Sequence, residues 1–170
     1  QRSRKSVYCT QLNNKAEGLH IMATRSNIAY KTPEGKIRSI YSHWDGYPEH
    51  NGELLRRFYT TQDKVEALVA LGSISSLGQD IGEQVDFDNR DTHTETGTIA
   101  YHRDRGEQLS IQEYDDIPSW IADMEEYAYL WNGEDWLVND HMEGAKTGYP
   151  VFNFVETVVN PEFVKKIFSD

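Results

Sequence analysis

Two short polar segments hold most of the side chains in this chain that could do chemistry. The first lies within 37–59, IRSIYSHWDGYPEHNGELLRRFY, where His43, Trp44, Asp45 and Tyr47 crowd around an Asp-Gly turn and a proline. The second is Tyr101-His102-Arg103-Asp104-Arg105-Gly106-Glu107. Arginine forks hold phosphate or carboxylate in a bidentate fashion, and histidine donates or shuttles a proton near neutral pH. Arg25, His43, Trp44, Asp45, Tyr47, His102, Arg103 and Arg105 would therefore suit an anionic nucleotide or metabolite if the strands that carry them are neighbours. The bracing alternative is an ion pair between Asp45 and an arginine that steadies the turn, with His43 hydrogen-bonded in place.

Other chemistries have less support. His43, Asp45 and His50 bring nitrogen and oxygen donors close together, but the chain has no HExxH, zinc-ribbon or calcium-loop spacing, so no metal or other cofactor is assigned. There is no Gly-x-Ser-x-Gly elbow, and the single cysteine, Cys9, has no placed base, so no catalytic residue is assigned either. Ser75-Ser76 is similar to an anion-binding turn but lacks the phosphate-loop lysine. Trp44, Tyr47, Trp120, Tyr129, Trp131 and Trp136 fit core and hairpin packing better than a base-stacking platform.

These residues need elements to position them. Extended segments at 23–30 and 37–43 flank Thr32-Pro33-Glu34-Gly35, whose proline and glycine suit a tight turn and a hairpin. In the second of these strands Ile37, Ser39, Tyr41 and His43 share one face, with Arg38, Ile40, Ser42 and Trp44 on the other, so His43 and Trp44 are expected to point apart. Asn51 caps a short helix carrying Leu54, Leu55 and Phe58. Thr61 caps the next, with a stripe of Val65, Leu68, Val69 and Leu71 and a stop at Gly72. The span 79–95 reads as a long acidic loop, followed by a strand through Thr98, Ile99, Ala100 and Tyr101 that delivers His102 to Glu107 at its end.

Asp116-Ile117-Pro118-Ser119 precedes a helix over 120–126, and Tyr127 to Trp131, Asn132-Gly133 and Trp136 to Val138 spell a hairpin with a type I′ turn. Asn160-Pro161-Glu162 starts a last helix. Hairpins interspersed with short helices predict a single α+β domain over 22–170, built on a mainly antiparallel sheet.

Residues 1–21 differ from the rest. They carry Arg2, Arg4, Lys5 and Lys15 against Glu17 alone and show no periodicity, so we read them as a non-native or disordered leader with Met22 as the start. The chain carries a net −11, and the leader's four bases and one acid leave −14 for 22–170. Of this, 79–143 holds three arginines against 18 acids, or −15. Such a field repels nucleic-acid phosphates and anionic membranes and attracts basic surfaces. No stretch approaches the roughly 20 apolar residues of a membrane-spanning helix.

Met22-Ala23-Thr24-Arg25-Ser26, the hairpin after it, Ile40-Tyr41-Ser42-His43-Trp44-Asp45-Gly46-Tyr47-Pro48 and the run Leu71 to Leu77 resemble, in that order, a family of small uncharacterised proteins of tailed bacteriophages. Arg103-Asp104-Arg105-Gly106-Glu107 and the Tyr127 to Trp136 hairpin are similar to that family's second half, and the segment before Met22 departs from it. The resemblance implies a phage origin and action in the cytoplasm of an infected bacterial host, and it implies no activity or cofactor.

Two functional expectations follow. One is a non-enzymatic accessory protein that binds and modulates a host or defence component with a basic surface, its acidic middle imitating nucleic acid. The other is a protein that sequesters or hydrolyses a small anionic ligand between the two polar segments.

Overall fold

Thr32-Pro33-Glu34-Gly35 closes the first hairpin as its composition predicts: the Gly35 amide donates to the Thr32 carbonyl at 2.9 Å, and Gly35 takes a φ of +85° that L-residues avoid. The strands are β1 (Ser26–Lys31) and β2 (Ile37–Ser42), antiparallel, with Ile28 opposite Ile40. The structure, a computed structural model, describes residues 23–140 and the short strand β8 (Thr157–Val158). The leader, the start at Met22, Cys9 and the helix expected after Asn160 lie outside the described residues.

Five further strands complete the sheet: β3 (Ile74–Ser76), β4 (Ile99–Ala100), β5 (Gln112–Tyr114), β6 (Tyr127–Trp131) and β7 (Trp136–Asp140). Their order is β4-β3-β2-β1-β6-β7-β8, with β5 on the part of the β2 edge that β3 leaves open. Among the described strands only the β1/β6 and β2/β3 joins are parallel, so the domain is α+β on a mainly antiparallel sheet.

Both faces of the sheet are covered. On one, Ile28, Tyr30, Ile40, Tyr129, Trp131 and Val138 pack against Leu55 of α1 (Glu53–Phe58) and Val65, Leu68 and Val69 of α2 (Gln62–Ala70). On the other, Ala29, Ile37, Ala128, Leu130 and Leu137 meet Trp120 and Ile121. Burial of this order is worth roughly 1.5–3 kcal/mol for each large apolar side chain, so the sheet centre anchors the domain.

Thr61 caps α2 through its hydroxyl, which accepts from the Lys64 amide, and Gly72 ends it at a φ of +74°.

Several elements differ from their sequence reading. Asn51 does not cap α1. It is fully buried, its amide donating to the Ser26 and Ser42 hydroxyls at 3.3 and 3.2 Å, and a wide helical turn (Pro48–Gly52) leads into the helix.

The expected strand over 98–101 is two residues long. His102 to Arg105 instead belong to a one-turn helix, α3 (Tyr101–Arg105), because the Asp104 carboxylate reaches back to the Ala100 amide at 2.7 Å and Gly106 supplies the left-handed stop. The helix expected at 120–126 is α4 (Ile117–Ala122), begun by the Asp116 carboxylate on the Ser119 amide.

The β6/β7 hairpin has the expected strands, but Trp131 pairs with Trp136 across a four-residue loop. Asn132 keeps a negative φ, and its side chain accepts from the Glu134 and Asp135 amides, so the turn is not type I′. Among the described residues no helix is long and apolar enough to cross a membrane.

Candidate functional site

The two polar segments meet at one end of the sheet. Beyond the last residue of β2, the His43 and Trp44 amides continue to pair with the Ile74 and Ser75 carbonyls at 3.1 and 3.0 Å. On the other side of β3, the Tyr101 amide binds the Ser73 carbonyl, which sets α3 beside it. The acidic loop folds over the gap: the Phe87 amide donates to the Asp104 carbonyl, and the Val85 amide to the Asp104 carboxylate. These three walls enclose a cleft of about 590 Å³.

From the end of β2 come His43 and Trp44, and from β3 and β4 come Ser75, Ser76 and Ile99. The loop adds Phe87, Arg90 and His93, and α3 adds Tyr101 and Arg105. Among the described residues, two arginines, two histidines, two serines, an isoleucine and the rings of Trp44, Phe87 and Tyr101 line the cleft, with no carboxylate.

His43 and Trp44 were expected on opposite faces. Strand alternation stops at Ser42, and their rings touch edge to face at 4.7 Å. His43 Nδ1 lies 2.7 Å from the Tyr41 hydroxyl, which fixes the imidazole from behind.

Arg105 is stacked. Its guanidinium lies 4.3 Å from the Phe87 ring centre and 4.9 Å from that of Tyr101, while Nη2 donates to Glu107 Oε1 at 2.7 Å. The fork is thus held in one orientation by the two rings and Glu107.

Arg90 behaves differently. Among the described residues no ion-pair or hydrogen-bond partner meets its guanidinium, although Asp88 and Asp91 stand close by in the chain. The one-turn 3₁₀ helix Arg90–Thr92, capped by the Asn89 side chain on the Asp91 amide, sets its backbone.

Five residues of the sequence reading lie outside the cleft lining. Arg25 is engaged with Glu125 and Glu126 at 3.5 and 3.4 Å, and those carboxylates hold its guanidinium more firmly charged. Asp45 takes a φ of +54° and accepts the Asn51 amide at its carbonyl, and no arginine among the described residues pairs with it. Tyr47 packs against the core with its phenol pushed up by burial and by the Asp45 carboxylate. His102 faces solvent and donates from Nδ1 to the Glu107 carbonyl at 2.6 Å.

Arg103 is a clamp behind the cleft. It donates to both Asp104 oxygens and to the carbonyls of Ile81, Gly82 and Thr98, so the bracing ion pair expected at Asp45 is found at Asp104. Burial pushes the Asp104 carboxyl up, but the bonds from Arg103, Ala100 and Val85 outweigh it and hold the group below the usual range.

Nothing in the local sequence marks Phe87, His93 or Ile99 as lining, and Ser75-Ser76, similar in sequence to an anion-binding turn, belong to β3. One signal was available: Arg90 is the sole Lys or Arg of the loop 79–95.

Among the described residues no three His, Cys, Asp or Glu stand together to hold a metal ion. No protein-family model, curated protein or solved structure matches this chain.

Proposed function

We propose that the chain binds a small anionic ligand bearing an aromatic ring, of the nucleotide class, in the cleft between the end of β2, the acidic loop and α3. The observation that carries this reading is the charge of the lining: beside a segment with a net −15, the described residues of the cleft wall include two arginines and two histidines and no carboxylate, with Glu107 reaching Arg105 from outside the wall. Such a wall suits phosphate, since arginine forks match its geometry. Trp44 offers a ring face for a base, while the Phe87 and Tyr101 rings already carry the Arg105 guanidinium. The volume falls in the range of roughly 300–1,000 Å³ typical of small-molecule sites.

Trp44 supplies the test. Trp120, Trp131 and Trp136 are buried, so a nucleotide in the cleft quenches chiefly the fluorescence of Trp44, and Trp44→Phe abolishes the change. Arg90→Ala weakens binding about tenfold or more, because a hydrogen bond to a charged group contributes roughly 1.5–3 kcal/mol. Unchanged affinity in Arg90→Ala, or no quenching by nucleoside mono-, di- or cyclic phosphates, removes the reading.

The acidic loop favours a second reading. Asp80, Glu83, Asp86, Asp88, Asp91 and Glu95 are all exposed, and none is ion-paired among the described residues. That surface suits a host or defence protein with a basic face, and the resemblance to phage proteins supports such action in the cytoplasm of an infected bacterium.

A further inference from the structure

We propose that the cleft hydrolyses a phosphodiester, with His93 as general base and His43 as general acid. This rests on the reading of the cleft as a nucleotide site and adds turnover to it. The two histidines come from different walls of the same cleft, and each has one ring nitrogen tied to the protein.

For His93 the tie fixes the role. Nε2 lies 2.9 Å from the Asp86 carbonyl oxygen, which only accepts, so Nε2 carries the proton and Nδ1 of the neutral ring keeps a lone pair. For His43 the tie suits an acid. A phenol hydroxyl can accept as well as donate, so when His43 is an imidazolium its Nδ1 proton goes to the Tyr41 oxygen 2.7 Å away and its Nε2 proton is the one to give. The other charged or titratable groups around the pair include Arg90 on the loop with Asp86, Asp88 and Asp91 beside it in the chain, Tyr101 and Arg105 on α3 with Glu107 on the Arg105 guanidinium, and Tyr41 on β2 with Arg25, Glu125 and Glu126 behind it.

The step balances without a cofactor. His93 Nδ1 takes a proton from water as the water oxygen bonds to phosphorus. The bond from phosphorus to the leaving oxygen breaks, its electron pair stays on that oxygen, and the His43 Nε2 proton neutralises it. The products are a phosphomonoester and an alcohol. His93 ends protonated and His43 neutral, and exchange with solvent restores both. Arg90 and Arg105 offset the charge that gathers on the non-bridging oxygens. The aromatic walls select a nucleotide diester, either cyclic or a dinucleotide.

Two probes separate the roles. Bis(p-nitrophenyl) phosphate has a leaving group that needs no proton, whereas a 3′,5′-cyclic dinucleotide leaves as an alkoxide that does. With chelator present, the full chain should hydrolyse both. His93→Gln should lose both by roughly 10²–10⁴-fold, the usual contribution of an acid or base. His43→Gln should lose the dinucleotide reaction by a similar factor and keep most of the nitrophenyl reaction. Calorimetric titration of the dinucleotide onto both variants checks that they still bind.

Binding without hydrolysis by the unaltered chain overturns the catalytic inference and leaves the binding site standing. Absence of both overturns the two together. Equal loss of both reactions in His43→Gln overturns the assignment of His43 as the acid.

Discussion

Replacing Arg103 by alanine should cost the domain about 3 kcal/mol. The Asp104 side chain is wholly buried and that of Arg103 is 18% exposed, and two hydrogen bonds of 2.9 and 3.1 Å join them. The same guanidinium takes up the carbonyls of Ile81 and Thr98, each at 2.7 Å, and that of Gly82 at 3.1 Å. Removing one partner of a buried pair costs roughly 3–5 kcal/mol, because the remaining charge is stranded. Water can reach the partly exposed arginine site and rehydrate the three carbonyls, which places the loss at the lower end. At roughly 2–4 °C per kcal/mol for a domain of this size, the melting temperature should fall by about 6–12 °C.

The acid limb carries a second signature. Asp104 titrates below its ordinary value in the folded chain, so its contribution is fully present above about pH 4 and is lost as the pH falls through the folded value. In the alanine variant burial is opposed only by the Ala100 and Val85 amides, so the carboxyl rises towards its unfolded value or past it, and the stability that Asp104 loses on acidification shrinks. Calorimetry at pH 7 and along the acid limb, on single and double Arg103→Ala and Asp104→Ala variants, measures both effects. The double variant should be less destabilised than the sum of the singles. A melting temperature within about 2 °C of the unaltered chain would refute the clamp.

Other expectations follow from the same packing. Gly78→Ala should destabilise by about 3 kcal/mol or more, since a Cβ there would lie 2.2 Å from the Thr96 carbonyl oxygen and 2.5 Å from Gly97 C, both backbone. Burial raises the Tyr59 phenol to about 12, where it donates to the Gly78 carbonyl at 2.8 Å. Stability held by that neutral phenol should be intact below about pH 10 and fade as the pH approaches the folded value. Ultraviolet titration should show this late ionisation, and Tyr59→Phe should cost about 1 kcal/mol in denaturant unfolding. Any basic protein partner of the acidic loop should bind much more weakly at high salt, and amides at Asp86, Asp88 and Asp91 should slow its association; salt-independent binding would exclude that surface.

What was legible in the sequence was local. The β1/β2 hairpin, the Thr61 cap, the Gly72 stop and the strands around Asn132-Gly133 all depend on neighbours within a few residues, and the structure has each of them. The parallel joins of β1 with β6 and of β2 with β3 depend on contacts far apart in the chain, which no local period encodes.

The α3 helix escaped because one turn is too short for helical periodicity, and its cause, Asp104 on the Ala100 amide, is a tertiary-like bond within a short span. The polar segments were rightly expected to meet, but half of each serves the fold. Gly46 carries the turn, its amide on the Thr24 carbonyl and its carbonyl accepting the Tyr129 hydroxyl. A Cβ at Gly46 would lie 2.8 Å from the Thr24 carbonyl oxygen. His43 and Trp44 look outward from one segment and Tyr101 and Arg105 from the other, and the acidic loop supplies what neither could.

That loop bears on how so acidic a chain would hold the proposed anion. Residues 79–143 contain three arginines, and all three serve this end of the sheet: Arg90 and Arg105 line the cleft, and Arg103 grips the loop backbone at Ile81 and Gly82. Two charges about 4 Å apart interact by roughly 4 kcal/mol at a partly buried site, while exposed charges separated by more than about 8 Å are largely screened at physiological ionic strength. On the proposed reading, a small phosphate seated against the arginines would feel chiefly Arg90, since Glu107 already offsets Arg105 at 2.7 Å. A long polyanion such as duplex nucleic acid must also lie across the exposed carboxylates of the loop, and it is repelled along that length. On the proposed reading the acidic surface would favour small anions over nucleic acids at the same cleft. Neutralising Asp86, Asp88 and Asp91 should therefore raise non-specific binding of single-stranded DNA, measured by fluorescence anisotropy at low salt, while nucleotide affinity changes by less than about threefold. A large change in nucleotide affinity would show that those carboxylates act on the cleft directly.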